Sequence, residues 1–144
     1  MQIKKGGFEE CVKLSKIIPE FDSPYDINEY EKRCCGIHHL TLIANMNDMP
    51  VGFKIGYDRY KDGSFYSWMG GVIPKFRRNG VARQLANCQE SWAKDNSYSY
   101  IQMKTRKKHK SMIKFLLKRG FLIKDKIPME NLLETRIIME KLLG

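Results

Sequence analysis

The sequence predicts an α/β (α+β) domain with elements in the order β-α-α-β-β-β-α-β-α-β-β. Three observations carry this reading. Val51, Phe53, Ile55 and Tyr57 alternate as a half-buried strand does, and Lys61-Asp62-Gly63 then turns the chain into a second apolar run, Ser64 to Ile73. Val81, Leu85, Cys88 and Trp92 recur at helical spacing. Between them, Val72 to Leu85 passes from strand to glycine turn to helix with no intervening linker. At 144 residues the chain has the length of one domain, 1–144, able to bury a core of its own.

The elements follow in order. Met1 to Lys4 reads as a short edge strand, broken at Gly6-Gly7. Phe8, Cys11, Val12, Ser15 and Ile18 mark one face of a helix that Pro19 stops. Asp26 or Ser23 caps a second helix running to about Cys35, with Gly36 as its terminator. His39 to Asn45 is a strand, Asn47-Asp48-Met49-Pro50 its turn, and Val51 to Arg59 the next strand. Gly70-Gly71, inside the following strand, marks either a bulge with a free N–H or a packing kink. A helix from Asn79 to about Asp95 precedes a strand from Tyr98 to Lys104. A helix from about Lys108 to Arg119 buries Met112, Ile113, Leu116 and Leu117, and Phe121 to Lys126 and Thr135 to Leu142 are the last strands.

Composition narrows the class. Hydrophobic residues make up 42% and charged residues 29%, as in an ordinary globular chain. No run approaches the roughly 20 apolar residues of a membrane span, and the N-terminus lacks an apolar signal region. A cytoplasmic location without membrane association is the expectation. Cys11, Cys34, Cys35 and Cys88 have neither C-x-x-C spacing nor paired histidines, so free thiols are expected rather than a metal or disulfide framework. The net charge of +10 calls for an anionic partner: nucleic acid, an anionic surface or a polyanionic cofactor.

The stretch from Val72 to Leu85 suits a phosphate. Pro74 ends the strand, Gly80 lets backbone approach closely, and Ala82 keeps the next turn small. The first N–H groups of the helix lack intrahelical partners, the dipole favours an anion there, and Arg77, Arg78 and Arg83 add positive charge. Arg77-Arg78-Asn79-Gly80-Val81-Ala82 resembles the Gln/Arg-x-x-Gly-x-Gly/Ala pyrophosphate loop of the GCN5-related N-acetyltransferase (GNAT) superfamily. Val72-Ile73-Pro74 matches that superfamily's Val-x-Pro, and Phe115 to Phe121 looks like the end of its Asn-x-x-Ala-x-x-x-Tyr-x-x-x-Gly-Phe segment. The element order is also that of the GNAT fold, so the resemblance covers nearly the whole chain.

The resemblance implies a three-layer α/β/α fold around a mixed, mostly antiparallel sheet. It implies acetyl transfer from acetyl-CoA, without a metal, to a primary amine by direct attack in a ternary complex. Coenzyme A would lie against Gly70, Gly71, Val72, Arg77, Arg78, Asn79, Gly80, Val81, Ala82 and Arg83, with the pantetheine arm in a gap where the fourth and fifth strands part. Two departures from the family stand out. The asparagine position holds His109 and the tyrosine position holds Leu116, which has no proton to donate. The region of the carboxylate base, Phe65-Tyr66-Ser67-Trp68-Met69, contains no acid. Tyr66 and Trp68 share a face there and either line the acceptor pocket or belong to the core. Proximity and a thiol leaving group with a pKa of about 8.5 reduce the need for both groups.

Lys104 to Arg119 contains eight Lys/Arg residues and no acid. Lys107, Lys108 and Lys110, with His109, would attract the 3′-phosphate of coenzyme A; the alternative is a solvated helix face. Glu20, Asp22, Asp26, Glu29 and Glu31, together with Glu130 and Glu134, form a second expectation: an acidic rim that steers a cationic amine, against a plain capping role. A non-catalytic acyl-CoA-binding module is the alternative to an enzyme. A basic nucleic-acid-binding domain ranks below both, since no recognition motif accompanies the charge. Either a monomer or a homodimer fits the sequence.

Overall fold

The computed structural model describes residues 1–144. Its elements are β1 (Gln2–Lys5), α1 (Phe8–Ile17), α2 (Ile27–Cys34), β2 (His39–Met46), β3 (Met49–Tyr57), β4 (Ser64–Val72), α3 (Val81–Asp95), β5 (Tyr100–Arg106), α4 (Lys110–Lys118), β6 (Leu122–Ile127) and β7 (Arg136–Leu142). Short 3-10 turns at Pro74–Phe76 and Leu132–Glu134 complete the order. The strands form one seven-stranded sheet, β1-β2-β3-β4-β5-β7-β6. Every pairing is antiparallel except β4 with β5, which α3 connects as a crossover.

The two faces of the sheet carry two cores. One, including Phe65, Val81, Leu85, Ile101, Leu116 and Met139, lies under α3 and α4. The other, including Cys11, Tyr30, Phe53, Tyr66 and Trp68, lies under α1 and α2. The result is the expected three layers. Strand alternation dictates this division: Phe53, Ile55 and Tyr57 face α1 and α2, while Gly52, Lys54 and Gly56 face the other way.

Several boundaries depart from the sequence expectation for local reasons. The β2–β3 turn is only Asn47-Asp48, both left-handed at φ 51° and 62°, and Pro50 lies inside β3 opposite Asn45, where the ladder shifts. Asp26, not Ser23, caps α2 by accepting a hydrogen bond from the Asn28 N–H. On α4, Leu117 points to solvent at 47% exposed, and Phe115 packs against the core instead. The bulge in β4 falls at Trp68, not at Gly70-Gly71. Ile55 pairs with Met69 and Gly56 with Ser67, so Trp68 is the extra residue. Gly70 and Gly71 stay in register with Lys54 and Phe53 and serve close packing. A Cβ on Gly71 would come within 3.1 Å of Ile18 and 3.2 Å of Phe21.

The bulge sets up the site. β4 and β5 pair only from Ser64↔Tyr100 to Ser67↔Met103. A bulged strand bends and twists more strongly, so β4 turns away from β5 at Trp68. From there to Val72, the β4 edge that faces β5 has no strand partner.

Candidate active site

The turn that ends at α3 is held open by its own residues. The Asn79 side-chain amide donates to the carbonyls of Phe76 and Arg77, at 3.1 and 3.3 Å. Arg78 and Gly80 adopt left-handed conformations, φ 67° and 77°. Glycine is favoured at position 80 on that account, and a Cβ there would also sit 3.2 Å from the Arg83 guanidinium. The six backbone N–H groups from Arg78 to Arg83 donate to no protein acceptor, and α3 has no acid in its first turn. Beside them is a cavity of about 230 Å³ lined by Val72, Arg77, Arg78, Gly80, Val81, Ala82, Arg83 and Phe115. Free N–H groups, a helix N-terminus and arginines together make a site for a multiply charged anion.

The residues expected from the sequence divide on inspection. Val72, Arg78 and the Gly80 to Arg83 turn meet at the cavity. Asn79 shapes the turn without lining it. Arg77 lines the cavity but is already engaged: its Nε donates to the Val72 carbonyl at 3.1 Å, and its two Nη atoms grip the Glu20 carboxylate at 2.6 and 3.1 Å. Lys107 is exposed and has no acidic partner. Lys108 turns away from the expected role and pairs with Glu134 at 2.6 Å and Asp22 at 3.3 Å. His109 caps α4 only through its backbone; burial and the charges of Arg106 and Lys108 lower its pKa.

The acidic rim also differs from its expected form. Glu20 is held by Arg77, Asp22 by Arg106 and Lys108, Glu29 by Arg33, and Glu134 by Arg106 and Lys108. These hydrogen-bonded cations hold all four carboxyls below their ordinary range. Asp26 is spent on its cap. Glu20 and Asp22 clasp the α1–α2 loop to the turn before α3 and to the β5–α4 loop, whereas Glu29 pairs within α2 and Glu31 and Glu130 make no ion pair.

Where β4 leaves β5, the two sides of the gap carry different chemistry. On the α3/α4 side lies Ser67, whose buried hydroxyl has no hydrogen-bond partner. Lys54 crosses the same face, its Cγ against Gly70, and burial lowers its pKa to about 8. On the α1/α2 side Tyr66 and Trp68 are buried, each with an edge-on contact to Tyr57. Tyr66 is a poor base, since burial pushes its phenol up to about 12. Leu116, at the family's tyrosine position, is 2% exposed and packed in the core. Phe115 and Lys54 escaped the sequence reading. Phe115 looked like one apolar residue among several, and only register shows that Lys54 lies opposite a glycine.

Comparison with known proteins gives the family and agrees with the fold. The model of the acetyltransferase (GNAT) family matches residues 9–121, and the chain belongs to that family. Among solved structures, the ribosomal-protein-S18-alanine N-acetyltransferase from Escherichia coli superposes with a TM-score of 0.82 at 14% identity, covering 99% of this chain and 94% of that one. Ard1 from Thermoplasma volcanium gives 0.82 at 18%, covering 98% and 96%. An aminoglycoside 6′-N-acetyltransferase complexed with coenzyme A gives 0.79 at 18%, covering 100% and 98%. At these identities the likeness is one of fold. No curated sequence matches the chain.

Proposed function

We propose that this acetyltransferase moves an acetyl group from acetyl-CoA to the nitrogen of a primary amine by direct attack in a ternary complex. The observation that carries the donor half is the row of six free N–H groups from Arg78 to Arg83, which fits a pyrophosphate. The β4 edge beyond Ser67 would take the pantetheine arm, and the orphaned Ser67 hydroxyl would gain a partner there. The acceptor would enter from the opposite, α1/α2 face, past Tyr66 and Trp68. Its neutral nitrogen attacks the thioester carbon, the C–S bond breaks, and the amine proton passes through water to the departing thiolate. Holding the two reactants in line supplies several kcal/mol without a side-chain base.

The test is release of free coenzyme A from acetyl-CoA against a panel of primary amines. Release with at least one amine, and formation of its N-acetyl product, is the expected result. Tight acetyl-CoA binding with no release for any amine would instead make the protein an acyl-CoA-binding module.

A further inference from the structure

The α1/α2 face of the gap has a charge opposite to that expected of a site for cationic amines. Strand register places Tyr66 beside Gln102, and Lys104, two residues further along β5, shares the Gln102 face just past the last β4–β5 pair, Ser67 with Met103. On β7, Lys104 faces Ile138 and Arg106 faces Arg136. Two arginines reach the aromatic residues from the sides. The Arg33 guanidinium lies 4.5 Å from the Trp68 ring centre, and that of Arg59 lies 4.9 Å from Tyr66.

The carboxylates around this strip do not balance it. Glu29 pairs with Arg33, Asp22 with Arg106 and Lys108, and Glu134 with those two and, at 3.8 Å, with Arg136. Glu140 pairs with Lys124 and accepts from Gln102, and Asp58 accepts from Tyr98 and from the Lys61 N–H. Arg59 and Lys104 are left with no carboxylate. Burial and then the charges of Arg59, Arg136 and Arg33 hold the Lys104 pKa below that of an ordinary lysine. Cations crowded in this way disfavour one another unless an anion joins them.

We infer that the acceptor carries an anionic group, a carboxylate or a phosphoryl-type oxyanion, a few bonds from its amine, and that Arg59, Lys104 and Arg136 hold it beside Tyr66 and Trp68. The inference rests on the acetyl-transfer reading above. A carboxylate bridging Lys104 and an arginine fork makes charge-assisted hydrogen bonds. The same positive field favours the neutral form of a nearby amine, the form that attacks, which lessens the need for the missing carboxylate base.

The experiment compares matched acceptors: phenylalanine, leucine, methionine and glutamate, each against its own α-carboxamide, with 1-amino-2-phenylethylphosphonate as the phosphoryl-type arm. In the release assay at least one acid, or the phosphonate, exceeds its amide at least tenfold in kcat/KM. Lys104→Gln and Arg59→Gln each bring that ratio towards one, while calorimetric affinity for acetyl-CoA stays within twofold. Amides equal to or better than both kinds of anion across the panel would overturn the inference.

If no amine reacts, the acetyl-transfer reading fails on its own, and the anion site is read by titrating the N-acetylated acids and N-acetylated amides of the same panel. Tighter binding of an acid, lost in Lys104→Gln, upholds the site. Equal binding, or none, overturns it.

Discussion

Arg77 grips Glu20 across 57 positions of sequence, with Nη2 to Oε1 at 2.6 Å and Nη1 to Oε2 at 3.1 Å. The pair ties the end of α1 to the turn before α3 and places a carboxylate next to the proposed pyrophosphate site. Both side chains are partly solvated, 40% and 47% exposed, so the pair adds less than about 1 kcal/mol to stability. Its effect should fall on binding. Glu20→Gln is expected to leave Tm nearly unchanged and to tighten acetyl-CoA binding by about three- to tenfold, as removal of a nearby like charge requires. Weaker binding in the calorimeter would mean that Glu20 positions Arg77 for the cofactor.

Lys54 gives a pH signature. Burial disfavours the charged form and lowers its pKa from the 10.5 of a free lysine to about 8. The folded state therefore releases this proton first, and stability rises with pH between these two values. Lys54→Met removes the rise and, near pH 7, stabilises the protein by on the order of 1–3 kcal/mol. Glu90 keeps Arg119 and Lys141 as partners in that variant. Parallel curves of Tm against pH from 7 to 10 for the two proteins would contradict this.

Leu116→Tyr tests the absent tyrosine. Leu116 is buried in the core, so the larger ring overpacks it and costs about 1–3 kcal/mol. Turnover is expected to gain less than about tenfold, a barrier change below about 1.4 kcal/mol. A larger gain in the release assay would show that the native protein lacks a proton donor it could use.

Lys107 and Lys108, adjacent in sequence, should behave differently. Lys107→Glu is expected to weaken coenzyme A more than dephospho-coenzyme A, since Lys107 is exposed and makes no ion pair. Lys108→Glu sets a new carboxylate against Glu134 and Asp22, its present partners. It should weaken both ligands alike and lower Tm. A selective loss in Lys108→Glu alone would reverse these roles.

Much of the fold was legible because strand and helix periods are local. Val51 to Tyr57 declared its own alternation, and Gly80 with Arg78-Asn79 declared the turn before α3. The bulge at Trp68 was not legible, since it depends on Ile55 and Gly56 pairing one residue out of step with β4. Gly70-Gly71 offered a bulge site in the sequence, yet the bulge falls at Trp68, and the missing side chains of these glycines leave room for Ile18, Phe21 and Lys54. Charge pairing was hidden for a related reason. Glu20 and Asp22 look like a free acidic patch in the sequence, and only the fold brings Arg77, Arg106 and Lys108 to them. Lys104, Arg59 and Arg136 lie far apart along the chain, so their meeting was equally hidden.

The central claim is that the open turn before α3 binds the donor's pyrophosphate, and titration calorimetry with acetyl-CoA at moderate salt tests it most directly. The wild type should bind with a Kd at or below about 1 mM, a binding free energy of at least about 4 kcal/mol in magnitude. Gly80→Asp, checked to be folded by its far-ultraviolet circular dichroism, should show no binding, because it strains a φ of 77° and sets a carboxylate among the free N–H groups. Absence of binding by the wild type, or undiminished binding by folded Gly80→Asp, would contradict the account.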